Sequence, residues 1–179
     1  GNPSGIDAIA KIAQEQEIPL IEDAGQAIGS KLNGRSIGSF GRATVFAFHS
    51  TTQLTSVQGG VITTDDNLLA EQCMARRNHG FVRDPSNATD ELHRVRTDEL
   101  MQVLGHGYRI SEVHAAVGAI QMKRIDEIME RRDKVARCYI QKLGGIAEIM
   151  CPTIAPEVEM SWGGFVVRLS DRFTRDDRD

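Results

Sequence analysis

Ala43–Asp66 reads ATVFAFHSTTQLTSVQGGVITTDD, and the meaning of this stretch decides how the rest of the chain is understood. Val45, Phe46 and Phe48 carry the β-branched and aromatic bulk of a buried strand, and Gly60–Thr64 repeats the pattern. Ser50–Gly59 between them is too polar for a core, and Gly59-Gly60 lets the backbone pass close to a neighbour or a ligand. Strand, hydroxyl-rich turn, glycine pair and strand together describe a loop built to hold a ligand. Yet the stretch contains no lysine, no cysteine and, before Asp65, no acidic residue.

Upstream, Gly1-Asn2-Pro3-Ser4 is turn chemistry, and Ser4 or Asp7 can cap the helix expected through about Gln16. Ile6, Ile9, Ala10, Ile12 and Ala13 form its apolar stripe. Ile18-Pro19-Leu20-Ile21 then reads as a buried strand that ends in Glu22-Asp23. Helix followed by strand is the rhythm of an α/β layer with a mainly parallel sheet. Asp23 therefore falls at the C-terminal end of a strand, where such sheets place ligands, although an acid there also serves as a cap or loop anchor. Gln26 is the one amide in the small-residue run Ala24–Ser30, open to a ligand role or to bonding backbone. Lys31–Ser36 is expected to be a hairpin turning at Asn33-Gly34, a type I′ signature.

Downstream, a helix is expected from Asp65-Asp66-Asn67 to about Asn78, with Leu68, Leu69, Cys73 and Met74 inward and His79-Gly80 as its stop. Arg76-Arg77 complements its C-terminal dipole or meets an anionic substrate. Phe81–Gln102 has no pattern and reads as a long loop in which His93, Arg94 and Arg96 form a small basic cluster, either solvated or meeting a diphosphate. Ser111–Leu143 is the strongest helical signal, capped by Ser111, braced by Glu127–Arg131 and Glu130–Lys134, and shifted in phase near Lys123. Gly144-Gly145 ends it. Ile146–Ile154 and Gly164–Leu169 read as short strands, and Trp162 as core.

The 179 residues carry a net charge of −4 and 40% hydrophobic residues, enough for one good core and without the field that attracts nucleic acid or anionic membrane. Three widely spaced cysteines fit a reduced cytoplasmic interior better than a disulfide framework, and no Cys-x-x-Cys pair points to zinc. There is no run long enough to span a bilayer and no signal-peptide order. A start without Met and an end inside RFTRDDRD predict a fragment of a longer protein.

IPLIEDAGQAIGS, NGRSIGSFGRATVFAFH and LTSVQGGVITTDD, followed by RRNHG, LGHGYRISEVHAAVGAIQMKRIDEIMERR and MSWGGFVVRLSDRF, resemble the DegT/DnrJ/StrS family of pyridoxal-phosphate sugar aminotransferases across essentially the whole chain. The resemblance implies the fold type I architecture. Residues 1–110 would be the C-terminal part of the cofactor-binding large domain, 111–143 the long linking helix, and 144–179 the start of a small α+β domain. It implies pyridoxal phosphate or pyridoxamine phosphate as cofactor, a sugar nucleotide as substrate or ligand, and a homodimer or a heterodimer with a family member. Asp23 matches the carboxylate that bonds the pyridinium nitrogen and keeps it protonated, and Gln26 the residue beside the ring.

The same resemblance implies the loss of three cofactor contacts, at Thr52, Ala47 and Gly107, and one further change at Val57-Gln58. Laid on Phe46–Gly60, the family motif Phe-Ser-Phe-His-x-x-Lys-Asn-Leu-Thr-x-Gly-Glu-Gly-Gly puts Thr52 at the Schiff-base lysine. It puts Ala47 at a phosphate-contacting serine and Val57-Gln58 at Gly-Glu. Gly107 falls at the asparagine that reaches the neighbouring subunit's phosphate. A threonine hydroxyl cannot form an imine or shuttle a proton as an amine does, so no catalytic residue is assigned. The branch that replaces the lysine by histidine and uses the aminated cofactor is not matched either, and His49 packs or hydrogen-bonds. Three readings follow: an impaired aminotransferase, a non-catalytic partner subunit or sugar-nucleotide binder, and a lysine-independent enzyme using pyridoxamine phosphate.

Overall fold

A computed structural model describes residues 1–81 and 101–178. The basic cluster His93, Arg94 and Arg96, with most of the expected loop at Phe81–Gln102, lies outside the described residues. Helix α1 (Ile6–Glu15) precedes β1 (Ile21–Asp23), the hairpin β2 (Lys31–Leu32) and β3 (Arg35–Ser36), then β4 (Ala43–Ala47), β5 (Gly60–Thr63) and α2 (Asn67–Arg77). After these come α3 (Glu112–Met122), α4 (Ile125–Leu143), β6 (Ile149–Met150), β7 (Val158–Glu159), β8 (Arg168–Leu169) and the single turn α5 (Arg175–Arg178).

The main sheet has the order β1-β4-β5. Strands β1 and β4 are parallel, with Asp23 opposite Val45, while β5 runs antiparallel to β4, with Ile62 opposite Val45. The α/β class with parallel pairing is therefore observed. Alternation along the strands gives the sheet two unlike faces. Thr44 and Phe46 point with Glu22 into the interior, where Phe46 joins Ala24, Ile28 and Leu54 in the core. Ile21, Val45 and Ile62 lie on the other face and stay exposed.

Several expectations are corrected here. The first strand starts at Ile21, and Ile18 and Ile21 are exposed while Glu22 is buried. The reason is hydrogen bonding: the Glu22 carboxylate accepts from the N–H groups of Gly38 (2.9 Å), Phe40 (2.8 Å) and Gly41 (2.7 Å) and from the Thr44 hydroxyl (3.1 Å). Four donors on one carboxylate offset its desolvation and fix the loop 37–42. Gly38 is needed at that loop, because its φ is +99° and a Cβ there would fall 2.7 Å from the Phe46 ring. Helix α1 begins after Gly5 without a side-chain cap; Ser4 bonds Asn2 instead, and Asp7 accepts only from its neighbour Ala8. In α2, Leu68 and Met74 are exposed and Ala75 is the buried residue.

Other elements match their sequence signals. Asn33 (φ +51°) and Gly34 (φ +74°) make the type I′ hairpin. Ser111 accepts from His114 N, and the expected bend separates α3 from α4 at Lys123-Arg124. Glu127 pairs with Arg131, whereas the Glu130–Lys134 pair is not among the ion pairs of the described residues; Asp133–Arg137 forms one turn further on. Strands β6 and β8 pair antiparallel, but β7 turns away from them and adds a third strand to the hairpin, Leu32 opposite Val158. Trp162 is buried as expected, its indole N–H donating to Asp133 and its carbonyl accepting from Arg132. No helix among the described residues is long and apolar enough to cross a membrane.

Candidate functional site

The C-terminal ends of β1 and β4 carry the candidate site. Asp23 ends β1 with an exposed side chain whose Oδ1 accepts the Gly25 N–H at 3.2 Å, an Asx turn that holds the carboxylate at the strand end. The Ala24 N–H donates to Val45 O, which keeps this bend against β4. Gly25 lies between Asp23 and Ala47: a Cβ on it would meet the Asp23 carboxylate at 3.3 Å and the Ala47 methyl at 3.6 Å. Asp23 and Ala47 therefore face one small space. Gln26 follows with its side chain exposed.

Beyond Ala47 the polar loop closes on itself. Phe48 N donates to Gly59 O and Ser56 N to Phe48 O, so the turn 49–55 is a loop pinched at its base. Thr52 is 8% exposed, and its hydroxyl oxygen lies 2.7 Å from both His49 O and Leu54 O. Its single proton is thus committed to backbone carbonyls inside the turn. His49 Nδ1 sits 3.0 Å from the Thr51 hydroxyl, a hydrogen-bonding role. Val57 adopts φ +74°, a conformation suited to glycine and costly for a β-branched side chain.

Gly107 belongs to another neighbourhood. His79 N donates to His106 O, and His106 N and Tyr108 N donate to Arg76 O and Arg77 O, so 105–108 is strapped across the end of α2. A Cβ on Gly107 would meet the His79 ring at 3.0 Å. No described contact joins Gly107 to Asp23 or Thr52. The helix-end arginines donate or lie at the surface; Arg76 bonds Gln72 O within its own helix.

One buried side chain of the turn, Gln53, was not singled out from the sequence. Gln53 is 5% exposed, and its Nε2 donates to Gln26 O at 2.5 Å and to Ser161 Oγ at 2.8 Å. Ser161 and Ser30 are hydrogen-bonded to each other in turn, and Ser30 reaches Gly1 O. The only available signal was an amide beside the lysine position. Its distant partner, Ser161, has no local signature.

The model of the DegT/DnrJ/EryC1/StrS aminotransferase family matches residues 1–179. The chain belongs to this family. An uncharacterized Methanocaldococcus jannaschii protein, MJ1066, is 30% identical over 167 residues, which are 90% of this chain and 42% of that protein. DesV of S. venezuelae, solved with a ketimine intermediate, shares 30% identity at a TM-score of 0.80, covering 95% of this chain and 42% of DesV. DesI, solved in the presence of its TDP-sugar product, shares 25% identity at a TM-score of 0.79, covering 96% of this chain and 40% of DesI. The chain thus spans less than half the length of each of these three proteins.

Set against the family's cofactor, the residues divide. The Asp23 carboxylate can accept a hydrogen bond from a protonated ring nitrogen, and Gln26 stands three residues on in the same bend. Thr52, Ala47 and Gly107 do not fit the rest: the first offers a hydroxyl already bonded to carbonyls, the second no donor, and the third a backbone crowded by His79. None of Thr52, Ala47 and Gly107 offers an amine to hold such a group covalently.

Proposed function

We propose that this chain forms the ring-facing part of a sugar-nucleotide aminotransferase-type site in which amine transfer is impaired. The observation that carries the reading is the Thr52 hydroxyl, buried and committed to His49 O and Leu54 O where the family resemblance places the lysine. An alcohol forms no imine, and loss of the positioned base alone costs about two to four orders of magnitude in rate. Asp23 and Gln26 are the cofactor-facing residues of this reading, with pyridoxal phosphate or its aminated form as the ligand class. The TDP-sugar product of DesI supports a nucleotide sugar as the other ligand.

Val57 favours a second reading, a non-catalytic subunit that completes a family member's site in a dimer. The loop keeps a glycine-type backbone at φ +74° although valine occupies it, so its shape is retained where its chemistry is not.

Absorption spectroscopy tests the first reading. Protein mixed with pyridoxal phosphate is expected to show no borohydride-reducible aldimine band, and Thr52→Lys to gain one. A reducible band in the unsubstituted protein, assigned by peptide mapping to a lysine at the site, overturns it. Stable, stoichiometric capture of an active family member with unchanged spectra favours the partner-subunit reading instead.

A further inference from the structure

We infer that Gln53 and Gly163 form a size-complementary lock that fastens the turn at 49–55, and with it the Gln26 backbone, to the C-terminal segment at Ser161–Gly163. The inference stands on packing alone and holds whatever the site binds. Gly163 is not among the positive-φ glycines, so no left-handed backbone requires glycine there. What it lacks is room: a Cβ there would lie 3.0 Å from Gln53 Nε2, 3.0 Å from Gln26 O and 3.2 Å from Gln26 Cβ. The Gln53 amide therefore occupies the volume that a side chain at 163 would take. Its retreat would stretch or break the hydrogen bonds to Gln26 O at 2.5 Å and Ser161 Oγ at 2.8 Å.

The orientation of this amide is fixed by its partners. Gln26 O can only accept, so the nitrogen must face it. The other end, Oε1, is buried and has no partner in the described structure. An amide that forgoes one hydrogen bond in order to make two across a chain separation of 27 and 108 residues is placed for position. The far side of the lock is equally anchored. Ser161 N and Oγ both bond Ser30 Oγ, and Trp162 is held by Arg132 and Asp133 of α4. Gly164, one residue on, meets nothing within 4 Å of an added Cβ and provides the built-in control.

A double-mutant cycle read by unfolding in urea and by fluorescence tests the lock, and Trp162 is the sole tryptophan of the sequence. Gly163→Ala is expected to red-shift the Trp162 emission and to raise the unfolding constant, whereas Gly164→Ala leaves both unchanged. Gln53→Ala removes one of the three close neighbours of the methyl at 163 and frees the side on which Nε2 stood, while Gln26 O and Cβ remain. In the double variant the effect of Gly163→Ala is expected to shrink by at least about two-fold in the unfolding constant, the lower end for groups in contact. Strict additivity overturns the lock, as does a Gly163→Ala protein with unchanged emission and midpoint. Should Gly163→Ala fail to fold, recovery of folded protein on adding Gln53→Ala supports the lock, and no recovery overturns it.

Discussion

Replacing Glu22 by glutamine keeps the volume and removes the charge, and the structure sets the size of the penalty. Glu22 Oε1 receives Phe40 N, Gly41 N and the Thr44 hydroxyl, and Oε2 receives Gly38 N. A glutamine keeps most by placing its carbonyl at the Oε1 position. Its NH2 then faces the Gly38 N–H, donor against donor, in a side chain only 4% exposed. Leaving that N–H unsatisfied costs about 1–3 kcal/mol, and weakening three charge-assisted bonds to neutral ones adds about 0.5 kcal/mol each. A total of about 3 kcal/mol is expected, which lowers a urea midpoint by about 1–2 M at ordinary m-values. Equilibrium urea unfolding followed by circular dichroism measures it, with Glu22→Ala costing at least as much. A Glu22→Gln change below about 0.5 kcal/mol would refute the view that this carboxylate holds the 37–42 loop, since no such loss leaves room for four native donors.

Val57→Gly is expected to stabilise the fold by about 0.5–1 kcal/mol, relief of positive-φ strain exceeding the added chain entropy, and a lower midpoint in the same assay counts against the strain. Asp66 caps α2 through Leu69 N and pairs with Arg42, and these bonds hold its carboxyl below the usual aspartate range. The Asp66 contribution is therefore present above the unfolded-state value and lost as pH falls through the depressed folded value, and Asp66→Asn is expected to flatten the acid limb of a stability–pH curve. Asp133 follows the same sign: burial raises its carboxyl, but the Arg137 and Trp162 hydrogen bonds and the Arg137 charge outweigh it, so acid should release the indole and shift its emission.

Signals confined to a few neighbouring residues were legible in the sequence. Asn33-Gly34 fixed its own turn, Ser111 its own cap, and the phase shift at Lys123 marked a real helix break. The placement of Asp23 at a strand end and of Gln26 in the bend after it was legible because both are local features. What escaped depends on distant partners. Nothing around Glu22 announces a buried carboxylate until Gly38–Gly41 folds over it. Ile18 and Ile21 read as core on hydropathy, yet Ile18 precedes the strand and both side chains are exposed among the described residues. Gln53 gains its role only when Ser161 arrives from 108 positions away, and β7, a strand with no signal of its own in the sequence, forms by pairing with β2.

The pairing of β2 with β7 also bears on synthesis. Lys31 bonds Glu159 across 128 positions of chain, so the sheet edge offered by the first hairpin can be filled only after nearly all of this segment has been translated. A hairpin forms in about 1–10 μs, whereas 128 residues take roughly 6–26 s at about 5–20 residues per second. For that interval Lys31 and Leu32 present open backbone donors and acceptors to any other nascent strand. The charge on Lys31 is well placed to discourage such encounters until Glu159 arrives to neutralise it.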